Sequence, residues 1–224
     1  MTFSLVARCA ETGMFGIAIS SSSPAVAARC SYTRSAVGAV ASQNITDPTL
    51  GPLTLDLMQS GMSAEEAIAE VKALAKYADY RQVLAIDNQG VTAIHSGQNS
   101  LGIWTDAKGK DAISAGNLLA NDNVPQAIVD GFEASSGHLG DRLIAAMQSG
   151  LAAGGEAGAV HSAGMQICDK ASWPIVDLRC DWSESCPIAD ITKAWEVYKP
   201  QIEAYVQRAI DPREAPSYGV PGDE

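Results

Sequence analysis

The chain has 224 residues, a length that suits one large domain or two small ones. Apolar residues make up 46% and charged residues 18%, which excludes disorder. The net charge of −11 argues against nonspecific nucleic-acid binding and against anionic membranes, since both need clustered Lys and Arg. No apolar run approaches the roughly 18 residues of a membrane-spanning helix, and Met1-Thr2-Phe3-Ser4-Leu5-Val6-Ala7-Arg8 is not a signal peptide, so the expected location is the cytoplasm. Cys9, Cys30, Cys168, Cys180 and Cys186 are irregularly spaced, with no Cys-x-x-Cys pair, and read as buried reduced thiols.

In chain order, residues 2–9 predict a strand, with Phe3, Leu5 and Ala7 alternating against Thr2, Ser4 and Val6. A turn at Glu11-Thr12-Gly13 leads to a second strand from Phe15 to Ser20, making an antiparallel hairpin. Ala36 to Ser42 is a third strand of small residues, over which another layer can approach closely. Gly51-Pro52 opens a helix carrying Leu53, Leu57 and Met58, and Gly61 stops it. Ser63-Ala64-Glu65-Glu66 forms a capping box for a second helix through Ala67, Ile68, Val71 and Leu74.

The middle returns to β structure. A hairpin is predicted at 82–87 and 91–95, with short strands near 102–104 and 112–116. Two helices follow, from Pro125 to about Ser135 and from Leu139 to about Ala152, then a flexible loop at 154–158. Residues 163–168 and 175–180 predict a last hairpin. A final helix runs from Pro187 to about Ala209, with Ile188, Ile191, Trp195, Tyr198, Ile202 and Tyr205 on one stripe. The tail at 211–224 is expected to be flexible or to wrap a neighbouring copy.

Strands in hairpins and helices in pairs do not match the strict alternation of a doubly wound parallel sheet. They predict a four-layer α/β/β/α sandwich with two mainly antiparallel sheets. No linker or internal repeat interrupts residues 1–210, which are expected to form a single domain.

Several chemistries lack their motifs. There is no Gly-x-Ser-x-Gly elbow, no phosphate-binding Gly-x-x-x-x-Gly-Lys-Ser/Thr loop and no dinucleotide fingerprint. His95, His138 and His161 show no metal-ligand spacing, so no metal or organic cofactor is expected. No serine is singled out for a Ser-His-Asp triad.

The N-terminus carries the one distinctive feature. Thr2 is small enough for methionine aminopeptidase to remove Met1 before it. The mature chain would then begin with a hydroxyl and a free α-amine on one residue. An α-amine titrates near 7.7–8.0, so it can accept the hydroxyl proton and activate Thr2 without a histidine. Ser20, Ser21 and Ser22 close the second strand and would lie near Thr2 across the hairpin, where one can orient the amine. Gln43 and Asn44 end the third strand and can donate to an oxyanion.

Met1–Arg8, Gly16-Ile17-Ala18-Ile19-Ser20-Ser21, Val37-Gly38-Ala39-Val40-Ala41-Ser42-Gln43, Gly51-Pro52, Arg81-Gln82-Val83, Gly116-Asn117 and Val176-Asp177-Leu178-Arg179 resemble the bacterial and archaeal family called domain of unknown function 1028. The resemblance covers about residues 2–200. It implies the N-terminal-nucleophile hydrolase fold, shared with proteasome β-subunits and several amidases, and suggests hydrolysis of a small amide or cyclic amide. In proteasome-like members a basic residue lies close to the nucleophile, and Arg34 falls in a similar place. Arginine stays protonated, so it can lower the amine pKa or hold a carboxylate but cannot act as a base. The chain departs from the family pattern in its loop: Glu156 stands where Asp is expected, His161 where Gln is, and Ala157 and Ala159 where arginines are usual.

The expected partner is a small-molecule substrate, and a homodimer or larger homo-oligomer is expected from the apolar last helix and tail. The alternative is a catalytically idle protein of the same fold, binding a small acidic metabolite around Arg34 and His161.

Overall fold

The computed structural model describes residues 1–223. Ten strands form two antiparallel sheets. A six-stranded sheet contains β1 (Thr2–Arg8), β2 (Phe15–Ser21), β7 (Thr105–Gly109), β8 (Ala112–Asn117), β9 (Ser162–Cys168) and β10 (Val176–Cys180), in the order β10-β9-β2-β1-β8-β7. A four-stranded sheet has the order β3-β4-β5-β6, from β3 (Ser31–Arg34), β4 (Gly38–Asn44), β5 (Arg81–Asp87) and β6 (Thr92–Ser96). The helices are α1 (Ala27–Cys30), α2 (Leu50–Gln59), α3 (Ala64–Leu74), α4 (Val124–Ala134), α5 (Leu139–Ala152), α6 (Pro187–Tyr198) and α7 (Ile202–Ile210).

The layers follow from strand alternation. Phe3, Leu5 and Ala7 of β1 join Ile128, Phe132, Leu143 and Met147 of α4 and α5 in the core on the outer face of the larger sheet. Val6 points the other way, into a core between the sheets with Ile17, Ala39, Ala41, Leu84, Ile86 and Ile113. On the far side, Leu55 and Met58 of α2 and Ala67, Ile68 and Val71 of α3 cover Val40, Val83 and Ala85. The arrangement is an α/β/β/α sandwich. Because β1 lies between β2 and β8 with helices beyond one face and a sheet beyond the other, its whole length is buried apart from the half-exposed Arg8.

Local sequence rules account for most boundaries. Ser63 caps α3 with the expected reciprocal box, its hydroxyl accepting from Glu66 N and its own N–H donating to the Glu66 carboxylate. Gly51 in α2 has no Cβ because one there would run into the Tyr32 ring.

Three elements differ from the sequence reading. β3 is an edge strand whose four residues are all half-buried, so it carries no alternation to detect. The short strand expected at 102–104 lies at Thr105–Gly109 instead, paired to β8. The single last helix is two. Pro200 lacks an N–H and its ring clashes with the preceding turn, so a 3-10 turn at Lys199–Gln201 separates α6 from α7. The start of the tail folds back on its own chain, with Arg208 Nη2 donating to the Pro216 carbonyl at 2.9 Å. No helix among the described residues is long and apolar enough to cross a membrane.

Candidate active site

Thr2 begins β1 opposite Asn117 of β8 and beside the end of β2. Its side chain lies on the face shared with Ser4 and Val6, toward the second sheet, and the residue is only 6% exposed. Thr2 Oγ1 lies 3.5 Å from Ser21 Oγ. Both hydroxyls donate to the Met1 carbonyl oxygen. The Met1 side chain packs on Gly158, so the residue preceding Thr2 occupies the space between Thr2 and the 156–161 loop.

Glu156 closes this space. It is 4% exposed and accepts the Ser22 N–H on both carboxylate oxygens, at 3.2 and 3.1 Å. An isolated bridge to Leu119 holds its backbone just beyond the end of β8. Burial pushes the Glu156 carboxyl up to about 7, against the pull of the N-terminal ammonium, the Ser22 hydrogen bonds and His161. This carboxyl therefore exchanges a proton near neutral pH within reach of the N-terminal charge.

His161 flanks the same loop. Its backbone N–H donates to the Ser21 carbonyl at 2.8 Å, and its ring stacks on Trp182 with centroids 4.4 Å apart. Ring Nδ1 lies 2.8 Å from the Ser183 carbonyl oxygen. A carbonyl only accepts, so Nδ1 carries a proton and donates it.

Behind Thr2 lies a buried chain of amides. Ser4 Oγ donates to Gln43 Oε1 at 2.7 Å, and Gln43 Nε2 donates to Gln82 Oε1 at 2.8 Å. Asn117 Nδ2 donates to the same Gln82 oxygen at 3.1 Å, while Gln82 Nε2 reaches Ser96 Oγ at 3.0 Å. Gln43 and Gln82 are fully buried and every amide group has a partner, so this chain is a rigid floor linking the two sheets.

The structure thus brings together Thr2, Ser21, Ser22 and His161 of the residues singled out in the sequence. It turns the others elsewhere. Ser20 points to the opposite face of β2 and donates to the Ser162 carbonyl at 3.0 Å. The Gln43 amide is spent in the buried chain. The Asn44 amide joins two loops, donating to the Tyr80 carbonyl at 2.7 Å and accepting from Leu101 N at 3.2 Å. The Gln43 amide hydrogens meet Gln82 Oε1 and the Ala115 carbonyl, whereas one Asn44 amide hydrogen has no acceptor among the described residues.

Arg34 pairs with Gly38, at the far end of β4 from Gln43, and donates to Asp56 of α2 at 2.7 Å and to Gln59 at 2.6 Å. At about 3.3 Å per residue that end lies roughly 20 Å along the strand from Asn44. No hydrogen bond or ion pair joins Arg34 to His161 among the described residues. His95 Nε2 of β6 donates to the Ala78 carbonyl at 2.9 Å, and Asp177 of β10 pairs with Arg179. No group of three metal-ligating residues converges among the described residues. Of the cysteines, Cys30 and Cys168 are buried and the other three only half-buried.

Glu156, Gln82 and Asn117 were not given roles from the sequence. The available signals were a lone acid in a loop of Gly and Ala, and polar residues in otherwise apolar buried strands.

The chain matches the family described as "Family of unknown function (DUF1028)" over residues 2–191. The chain belongs to this family. The crystal structure of the DUF1028 protein SPO2555 from Silicibacter pomeroyi is similar to it, with 28% identity, 88% of each chain covered and a TM-score of 0.82. Anbu, an ancestral beta-subunit from Yersinia bercovieri, is a remote likeness at 13% identity and a TM-score of 0.40, covering 91% of this chain and 97% of that one. No curated protein matches the chain.

Proposed function

We propose that this DUF1028 protein is an N-terminal-nucleophile hydrolase of a small amide or cyclic amide, active once Met1 has been removed. The observation that carries the reading is the convergence of the Thr2 and Ser21 hydroxyls on one carbonyl oxygen in a nearly closed space. A substrate acyl group in the volume of Met1 meets a nucleophile and a hydrogen-bond donor together.

In this reading Thr2 Oγ1 attacks the substrate carbonyl carbon, and its proton passes to the Thr2 α-amine. The Ser21 hydroxyl donates to the developing oxyanion. The ammonium then protonates the leaving nitrogen as the C–N bond breaks, leaving an ester on Thr2. Water, deprotonated by the same amine, hydrolyses the ester. Glu156 sets the charge around the amine, since its ionised form stabilises the ammonium and its protonated form does not. The chemistry calls for no metal or organic cofactor. The same reading takes residues 1–210 as one cytoplasmic domain that works as a homodimer or larger homo-oligomer.

Intact-mass measurement tests the premise: the expected mass lacks Met1. A retained Met1 blocks the amine and overturns the mechanism. A Thr2→Ala protein that turned over a confirmed amide substrate at the wild-type rate would overturn it as well.

A further inference from the structure

A hollow lies away from Thr2, under α7. It has a volume of about 780 Å³ and lies between α7, the 169–175 loop and the start of α5. That is the size of a pocket for a small organic molecule. One wall is the Ile202, Val206 and Ile210 stripe of α7, and the facing wall includes Met14, Trp173 and Ile175.

The stripe has the spacing of a core-facing helix surface, yet only Ile202 of α7 is buried. Ile210 is 66% exposed and Trp173 is 40% exposed. Residues 211–223 of the tail do not line the space. The tail packs on the opposite face of α7, where Tyr218 lies under the Arg208 guanidinium at 3.7 Å and beside Tyr205. Residues 202, 206 and 210 face the hollow while 205 and 208 carry the tail, as helix geometry requires.

The polar groups at the hollow state what it accepts. His138 caps α5, its Nδ1 accepting the Gly140 N–H at 3.0 Å. The ring is therefore neutral with its proton on Nε2, and that N–H has no protein acceptor among the described residues. Burial holds the His138 imidazolium below its ordinary range, in keeping with a neutral ring. The charged side chains of the lining are Lys170 and Lys199 against Asp169 and Glu203, and Lys199 is already tied to Asp141 at 2.7 Å. The lining offers an apolar body site and one unpaired donor, and with Lys199 tied to Asp141 its charges reduce to Lys170 against Asp169 and Glu203, a solvent-screened excess of one carboxylate.

We propose that this hollow binds a small uncharged amphiphile, whose alkyl or aryl body lies between α7 and Trp173 and whose carbonyl accepts from His138 Nε2–H. An anionic head would meet the excess carboxylate charge of Asp169 and Glu203, and a cationic one would give up its hydration for carboxylates that are themselves solvated, a pairing worth little at the surface. The matched family residues end at 191, and α7 lies beyond them. The proposal does not depend on Thr2.

Octanamide, octanoate and octylammonium, identical in chain length, separate the head-group chemistries on the full-length protein. Titration followed by thermal shift and amide NMR is expected to give binding of octanamide about tenfold tighter than of either ion. Val206→Trp fills the hollow and is expected to abolish binding. Ile210→Glu, at an exposed helix end where the fold is not at risk, is expected to weaken binding if Val206→Trp is unstable. His138→Asn keeps a helix cap but loses the ring donor, and is expected to weaken octanamide about tenfold. The proposal is overturned if none of the three probes binds, if either ion binds best, or if binding survives both α7 substitutions. It is equally overturned if Val206→Trp splits an oligomer into monomers, because the occupant is then a second copy of the chain.

Discussion

The layer between the two sheets has two unlike halves. Toward the far end it is dry, with Val6, Phe15, Ile17, Ala39, Leu84, Ile86 and Ile113 packed without polar atoms from their side chains. Toward Thr2 it becomes the amide chain of Gln43, Gln82 and Asn117 with Ser4. Both halves are equally buried. The dry half obtains its stability from apolar area and shape. The amide half contributes little net free energy once desolvation is counted, but it fixes the relative position of the strands that carry Thr2 and its neighbours. The fold therefore places rigidity, rather than extra stability, where the candidate chemistry sits.

Substitutions in each half sharpen that contrast. Leu84→Ala in the dry half is expected to cost about 3 kcal/mol in denaturant unfolding, as a buried cavity does, while the Thr2 end keeps its reactivity in the surviving folded fraction. Gln82→Leu in the amide half is expected to cost about 2 kcal/mol, since it removes the shared acceptor of Asn117 Nδ2 and Gln43 Nε2. It is also expected to slow labelling of Thr2 more than Leu84→Ala does. Equal loss of reactivity in the two variants would break the comparison.

Glu156→Gln is expected to act through pH. The Glu156 carboxyl holds its proton more tightly folded than unfolded, at about 7 against an ordinary 4.5. The folded state thus binds more protons between those values, and stability falls as pH rises through them. Glu156→Gln should flatten that slope and leave the protein more stable than wild type above pH 7, by a few degrees in Tm. An unchanged Tm profile between pH 4.5 and 8 would show that Glu156 does not titrate as described. The smallest effect is expected for Arg34→Ala. Its pair with Asp56 is at the surface, so a loss of about 0.5 kcal/mol or less and unaltered Thr2 labelling are expected. A large drop in labelling would return Arg34 to the site.

The architecture was readable because it rests on periodicity and caps. The Phe3, Leu5, Ala7 alternation and the Ser63–Glu66 box are local patterns, and both reappear in the structure. Elements without a local pattern were not readable. β3 has no buried face, and the apolar stripe that continues across Pro200 into Ile202 masks the break there. The site was legible only where one strand end brings neighbours together. Ser21 lies beside Thr2 because of the β1–β2 hairpin. Gln43 and Asn44 were read as free donors because their partners, Gln82 and Tyr80, come from distant segments. Glu156 gained its role from burial against the Ser22 amide, which no spacing rule reports.

The central claim is that Thr2 is an activated nucleophile with a free amine. An acyl epoxyketone, which closes a ring using both a hydroxyl and an amine on one residue, tests it by intact mass and peptide mapping. The account predicts a single adduct on Thr2 of the Met1-free protein, formed faster as pH rises from about 6 to 8 and absent from Thr2→Ala. An unlabelled wild-type protein lacking Met1, or an adduct that persists in Thr2→Ala, would contradict it.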